Sequence, residues 1–175
     1  VNMSRYITLT VTNGAAIHLD FKAAAKGTPV RIVSGSNTQD ITVGTSWYNG
    51  NIPITYTVTA GVSTMTVYGD ITGFNCSSNY ANLTAIDPSH NTQLRWLFCE
   101  NNSLSSLDVS NNTQLKGLDC SHNNLNSLDV SHNTQLTTLS CHSNRLRSLD
   151  VSGCTQLRWL YCYRNRLRSL NVSGC

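Results

Sequence analysis

The second half of the chain is an internal repeat with a period of 21 residues. Leucines, an asparagine and a Leu-Asp-Val or Leu-Asn-Val triplet all recur at this spacing, as do the cysteines Cys99, Cys120, Cys141 and Cys162. A looser copy begins at Ile71 and is two residues longer, with its insertion between Cys76 and Leu83. A unit this short cannot bury its own apolar face, so consecutive units must stack, each strand pairing in parallel with the next. The repeat therefore predicts a solenoid with an inward column of Leu and Cys.

The unit LKGLDCSHNNLNSLDVSHNTQ, from Leu115 to Gln135, resembles the leucine-rich repeat, and specifically its short bacterial 21-residue class, the IRREKO type. The resemblance extends from Ile71 to the end of the chain. The segment MTVYGDITGFNCSSN is also similar to the junction between cap and repeats in secreted or surface proteins of Bacteroidetes. The resemblance implies export to the cell surface or the medium and an adhesion-like role.

Residues before the repeat have a different pattern, in which apolar side chains alternate with polar ones, as from Ile7 to Val11 and from Ile17 to Phe21. Alternation of this kind predicts β-strands. Asn13-Gly14 favours a hairpin, and further loops are indicated at Gly27-Thr28-Pro29, Ser34-Gly35-Ser36 and Asn49-Gly50-Asn51. We therefore predict a mainly β protein: residues 1–69 form a small antiparallel sandwich-like cap, and residues 70–175 form a leucine-rich repeat solenoid with one degenerate and four 21-residue repeats.

Several polar columns of the repeat have structural interpretations. The asparagine after each cysteine lies where the strand bends, so its amide is expected to pair with backbone groups. Asp108, Asp129 and Asp150 are expected to stabilise turns, with a row of calcium ligands as the alternative. The cysteines are predicted to be free core thiols, because no C-x-x-C occurs. A disulfide between Cys154 and Cys175, which occupy an asparagine position one repeat apart, is the alternative.

Catalytic and cofactor signatures such as HExxH, GxSxG, a P-loop or a Gly-rich dinucleotide turn do not occur in the sequence. We expect no enzyme activity, no cofactor and no resident metal. Arginines cluster in the last two units, but a net charge of +3 is small for a nucleic-acid-binding protein. We therefore expect a basic rim for a protein or acidic glycan and no nucleic-acid partner. No apolar run is long enough to span a bilayer.

The outward positions of the repeat strand carry the candidate binding residues. Because the Leu and Cys side chains point inward, the residues between them point to solvent, and rings at such positions are not needed by the core. The candidate partner-binding residues are Trp96, Phe98, Glu100, Asp119, His142, Trp159, Tyr161 and Tyr163. The alternative is that these rings pair with one another across the sheet.

The sequence thus predicts a non-catalytic extracellular interaction module for a protein or glycan. Two other functions stay open: a structural spacer that displays another domain, and a carbohydrate-active enzyme, for which Glu100 and Asp119 offer the acid pair. The last unit stops at Cys175, two residues short of a full period. We expect a partial chain whose uncovered last turn supports end-to-end self-association.

Overall fold

The computed structural model describes residues 1–47 and 54–175. The loop signal Asn49-Gly50-Asn51 lies outside the described residues. The regular secondary structure of the described part consists of β-strands. Six precede the repeat: β1 (Tyr6–Val11), β2 (Ala16–Ala23), β3 (Thr28–Ser34), β4 (Asn37–Val43), β5 (Ile54–Thr57) and β6 (Thr64–Tyr68).

Eight further strands lie in the repeat region and are mostly three residues long. They are β7 (Ile71–Asn75), β8 (Leu83–Asp87), β9 (Trp96–Phe98), β10 (Gly117–Asp119), β11 (Thr138–Ser140), β12 (Ser148–Asp150), β13 (Trp159–Tyr161) and β14 (Ser169–Asn171). The predicted fold class is confirmed, because the chain folds as an antiparallel cap joined to a parallel solenoid of about five turns. Within the described residues no α-helix forms, and so none could cross a membrane.

Two large sheets face each other in the cap. The first has the order β4-β3-β6-β1-β8, and the second has the order β13-β11-β10-β9-β7-β2-β5. Their inward side chains belong to one core, which continues into the solenoid; Ile7, Leu19 and Phe74 are all buried in it. A small third sheet pairs β12 with β14 in parallel on the opposite side of the solenoid.

The first turn of the solenoid contributes a strand to each of these two sheets. Strand β7 pairs antiparallel with β2 of the cap and parallel with β9 of the next turn. Strand β8, from the second half of the same turn, pairs antiparallel with β1. The parallel sheet is therefore continuous with the cap. The 69/70 boundary predicted above falls between β6 of the first sheet and β7 of the second.

Asn13-Gly14 does not form the predicted hairpin. Strands β1 and β2 on either side of it belong to different sheets, so the turn carries the chain from one layer of the sandwich to the other. Gly14 has the positive φ that suits it to a tight turn, and the Asn13 side chain accepts a hydrogen bond from Gly61 N at 2.7 Å. The local signal was correct for the turn, but pairing depends on the whole sheet. The Ser34-Gly35-Ser36 turn does join a paired hairpin, β3 and β4.

The inward column of the solenoid is confirmed. The leucines of the sheet strands, Leu97, Leu118 and Leu139, are at most 1% exposed, and Cys76, Cys99, Cys120 and Cys141 are fully buried. All seven cysteines lie in the described residues and are free thiols. The last turn is less covered, since Leu160 and Cys162 are only partly buried and Leu170 and Val172 are exposed.

Candidate interaction surface

The outward face of the parallel sheet is built by the strict register of the repeat. Parallel pairing aligns Trp96 with Gly117, Gly117 with Thr138, and Thr138 with Trp159. The next outward row aligns Phe98, Asp119, Ser140 and Tyr161 in the same way. Since every second residue of a strand points to the same side, these two rows lie opposite the buried Leu column. We call this surface the sheet face, and we include in it the residues two positions beyond each strand, which are Glu100, Ser121, His142 and Tyr163.

A cluster of aromatic rings covers the cap side of the sheet face. Phe98 lies 5.4 Å from Trp47 between ring centroids, and the Lys22 ammonium lies 4.1 Å from the centre of the Trp96 ring. Gly73 permits this packing, because a Cβ there would come within 2.7 Å of the Trp47 ring. Trp96 and Phe98 are consequently half-buried, so two of the candidate rings are partly used by the protein itself.

Trp47 and Lys22 were not among the candidates from the sequence. Lys22 alternates with the inward Phe21 on β2, which indicates an outward position, but nothing local shows that β2 joins the repeat sheet. Trp47 follows β4 of the opposite sheet and contacts the sheet face from a loop. Both contacts depend on how the cap packs against the solenoid, and the 21-residue period carries no information about that packing.

Three rings remain uncovered at the distal side of the sheet face. Trp159 is 52% exposed, Tyr161 46% and Tyr163 55%. His142 stacks flat on Tyr163, with ring centroids 4.3 Å apart, and meets His122 edge to face at 5.0 Å. The alternative interpretation, that rings pair with one another, therefore applies to His142 and Tyr163, which follow their strands in neighbouring turns. For Trp159 and Tyr161 the described residues show no such ring partner.

A groove of about 370 Å³ separates the two aromatic regions. It is lined by Trp96 and Phe98 on one side and Tyr161 on the other, with Gly117, Asp119, Thr138 and Ser140 between them. Gly117 keeps the floor low, because a Cβ at this position would lie 3.0 Å from Trp96 Cδ1. The strands that carry the walls, β9 and β13, are three strand spacings apart, which is about 14 Å. This width accommodates a side chain or a single extended segment.

The structure places the predicted acid pair, Glu100 and Asp119, in neighbouring turns and in electrostatic contact. Asp119 accepts hydrogen bonds from Ser121 N at 3.0 Å and from its hydroxyl at 2.6 Å. Glu100 is half-buried, and its Oε2 is enclosed without a hydrogen-bond partner. Burial, together with the charge of Asp119, raises the pKa of Glu100 to about 7, despite opposing hydrogen bonds from backbone and Ser77. Asp119 lines the groove, whereas Glu100 is not part of its lining.

The aspartate column behaves differently, as predicted for turn-stabilising residues. Asp108, Asp129 and Asp150 each accept a backbone hydrogen bond at 2.9 Å from the serine two positions later. The interaction with the serine hydroxyl, which is the largest cause, and the backbone hydrogen bond together lower the pKa of each aspartate. The described part of the chain has no group of three or more His, Cys, Asp or Glu side chains arranged to hold a metal ion.

The buried cysteines are expected to be unreactive. Burial, the largest cause, raises the pKa of Cys99 and Cys120 well above the usual thiol value and that of Cys141 to about 12. Thiolates are the reactive form of cysteine, so these thiols are poor nucleophiles and poor metal ligands at neutral pH. Their role is to fill the column, as the repeat predicted.

Solved structures similar to this one come from Listeria internalins, which are leucine-rich repeat proteins. The functional domain of InlJ from Listeria monocytogenes, described as including a cysteine ladder, shares 41% sequence identity at a TM-score of 0.58. That match covers 60% of this chain and 23% of InlJ. InlF, an internalin from Listeria monocytogenes strain 4b F2365, matches at 24% identity and a TM-score of 0.46, covering 50% of this chain and 31% of that chain.

This chain therefore spans less than a third of either structure. No protein-family model matches the chain, and no curated protein matches it. The comparison with InlJ agrees with the geometry on one particular point: both have a column of cysteines along a leucine-rich solenoid.

Proposed function

We propose that this chain is a non-catalytic, adhesion-like module that binds an extracellular protein through the sheet face. The observation that carries the proposal is the exposure of Trp159, Tyr161 and Tyr163 on a rigid sheet, at positions that the Leu and Cys columns leave free. Large exposed Trp and Tyr side chains are typical of binding hot spots. The similarity to internalins supports protein binding and a location outside the cell, and the 21-residue period supports the short bacterial repeat class seen in Bacteroidetes.

The arrangement of the acid pair supports binding over catalysis. A glycoside hydrolase needs two carboxyl groups on either side of one scissile bond. Here only Asp119 lines the groove, while the Oε2 atom of Glu100 is enclosed away from solvent. The pair therefore does not present two acids to one ligand.

The test is a binding screen followed by matched variants. Purified chain is probed against an array of extracellular proteins, with a glycan array in parallel. The double variant Trp159→Ala, Tyr161→Ala is expected to weaken binding to a protein hit at least tenfold. Its stability should change by about 0.5 kcal/mol or less per site, because both side chains are largely exposed.

Tyr80→Ala is the matched control, since Tyr80 is 65% exposed but follows the bend beyond the sheet. Unchanged affinity in Tyr80→Ala with loss in the double variant supports the proposal. Binding that survives the double variant would place the interface elsewhere, and hits confined to the glycan array would replace the protein partner with a carbohydrate.

End-to-end self-association stays a prediction. Sedimentation across a concentration series tests it, and a monomer at millimolar concentration would contradict it.

A further inference from the structure

Two carboxylates of the sheet face lack a cationic partner. Within the described residues, ion pairs join Arg5 to Asp70 and Arg31 to Asp40. Glu100 and Asp119 have no such pair, and they oppose each other electrostatically across neighbouring turns. The enclosed Oε2 of Glu100 has no hydrogen-bond partner either. A positive charge placed beside Asp119 would relieve the repulsion between the two carboxyl groups.

The walls of the groove also suit a cation. Trp96 already holds one, since the Lys22 ammonium lies 4.1 Å from its ring centre. Cations are attracted to the faces of Trp and Tyr within about 6 Å. Tyr161 forms the far wall, and Asp119 lies on the floor between the two rings. Aromatic walls with a carboxylate at the base match an ammonium or a guanidinium on an apolar stem.

We propose that the groove between Trp96 and Tyr161 receives a lysine or arginine side chain of the partner protein, with Asp119 as its counter-ion. The inference rests on the proposed function for the existence of a protein partner, while the recognition chemistry stands on the groove itself. Glu100 adds negative charge behind Asp119 without contacting the guest.

Two lysines adjoin this place. Lys22 lies on β2, on the cap side of Trp96, whereas the groove lies on the side of β10. Lys116 lines the same groove, but within the described residues it forms no ion pair with Asp119. His142 is the titratable neighbour on the other side. Burial, the nearby His122 and Arg164 lower the pKa of His142, although Asp119 opposes them, so the site as a whole disfavours a charged imidazole beside Asp119.

The experiment is an NMR titration of the isotope-labelled chain with short peptides. The probes are acetyl-Gly-Arg-Gly-amide and its lysine analogue, and citrulline replaces arginine in the matched neutral probe. We expect saturable shifts of the Trp96 indole N–H and the Gly117 amide with the cationic peptides. Binding of the citrulline peptide should be at least tenfold weaker.

Asp119→Asn tests the counter-ion. Asp129→Asn is its matched control, because Asp129 belongs to the same turn but lies on the opposite side of the solenoid. The substituted amide retains an oxygen that can accept from Ser121, so we expect the Asp119→Asn variant to fold. Cationic binding should fall at least tenfold in Asp119→Asn and stay within twofold in Asp129→Asn. If Asp119→Asn fails to fold, the arginine and citrulline comparison on the unmodified chain still decides the proposal.

Equal binding of the citrulline peptide, preference for a glutamate peptide, or no saturable shift at these two groups would overturn the proposal. Calcium chloride titrated alone provides a further arm, and saturable calcium binding that displaces the arginine peptide would assign the groove to a divalent cation instead. Failure of the proposed function appears separately, as array hits that do not depend on Trp159 and Tyr161. Peptide binding in the groove is measured without any array hit.

Discussion

Two asparagine columns run along opposite edges of the solenoid, and they use the same amide differently. The front column follows the cysteines and contains Asn79, Asn102, Asn123, Asn144 and Asn165. The back column contains Asn91, Asn112 and Asn133 and continues as Cys154 and Cys175. The front column keeps asparagine in every turn, whereas the back column changes to cysteine.

The front amide uses both of its polar groups. The Asn123 side chain donates from Nδ2 to Cys99 O at 3.0 Å and Cys120 O at 3.1 Å. Its Oδ1 accepts from Leu104 N at 3.0 Å. One buried side chain therefore ties two successive turns through donors and an acceptor, and only an amide supplies this combination in so small a volume.

In Asn112 and Asn133 the back amide uses only its donor within the described residues, whereas Asn91 Oδ1 also accepts from Gln93 N at 3.3 Å. Asn133 Nδ2 donates to Val109 O at 2.9 Å and Asn112 O at 3.0 Å, while its Oδ1 is buried without a partner. In the next turn the Cys154 Sγ lies 3.6 Å from both equivalent carbonyls, Val130 O and Asn133 O, and its single S–H is shared between them. Where only a donor is required, a thiol can replace the amide and leaves no orphaned oxygen.

We expect the largest effect when cysteine, which replaces asparagine in the back column, is substituted for an asparagine of the front column. Asn123→Cys leaves the buried Leu104 N–H without its acceptor and weakens the donors to Cys99 O and Cys120 O. Each unsatisfied buried group costs about 1–3 kcal/mol. We expect the free energy of unfolding to fall by about 3 kcal/mol, measured by urea denaturation under reducing conditions. A loss below about 1 kcal/mol would show that the acceptor in the front column has little importance.

We expect an intermediate effect from a comparison between the carboxyl groups on the front and back sides of the solenoid. The aspartates near the back column have hydrogen-bonded oxygens and lowered pKa values, whereas burial raises the pKa of Glu100 at the front to about 7. An unfolded glutamate titrates near a pKa of about 4.3, so between about pH 4.5 and 7 the folded state binds more protons than the unfolded state. Ionisation of Glu100 therefore costs stability as the pH rises through this range.

Glu100→Gln should remove that cost. We expect the variant to gain stability relative to the parent at about pH 7 and to gain little at about pH 4.5, measured as denaturation midpoints at both values. Asp129→Asn is the control with the opposite sign, because a lowered folded pKa stabilises the protein above about pH 4 and that contribution is lost below it. Parallel pH profiles for Glu100→Gln and the parent would contradict the assignment.

The repeat period explains why so much of this contrast could be read from the sequence. Equal spacing of Cys99, Cys120 and Cys141 fixes the register of the sheet, so the inward column and the outward rows follow directly. The same arithmetic places Glu100 and Asp119 in adjacent turns. The position of Cys154 in the back column could also be predicted, because it replaces Asn133 after one period.

Features that depend on cap docking could not be predicted in the same way. The approach of Trp47 to Gly73 and of Lys22 to Trp96 joins segments whose pairing no local pattern encodes. The Asn13-Gly14 turn was wrongly predicted as a hairpin for the same reason, since sheet membership is a property of the whole sandwich. The unpaired oxygens of Asn112 and Asn133 depend on side-chain geometry that the period does not contain.

We expect the smallest effect when cysteine is placed one turn earlier in the back column, at Asn133. Asn133→Cys replaces two amide hydrogen bonds with one weaker, shared thiol hydrogen bond, which is destabilising. It also removes a buried oxygen that has no partner within the described residues, which is stabilising. The two contributions are of similar size, so we expect the free energy of unfolding to change by about 1 kcal/mol or less in urea denaturation with reductant present. Asn133→Ala is the matched control, because it also removes the orphaned oxygen but supplies no donor, and we expect it to cost about 1–3 kcal/mol. If Asn133→Cys costs as much as Asn133→Ala, the thiol does not act as a donor in this column. Cys154 would then be a packing residue, and the contrast between the two edges would rest on volume alone.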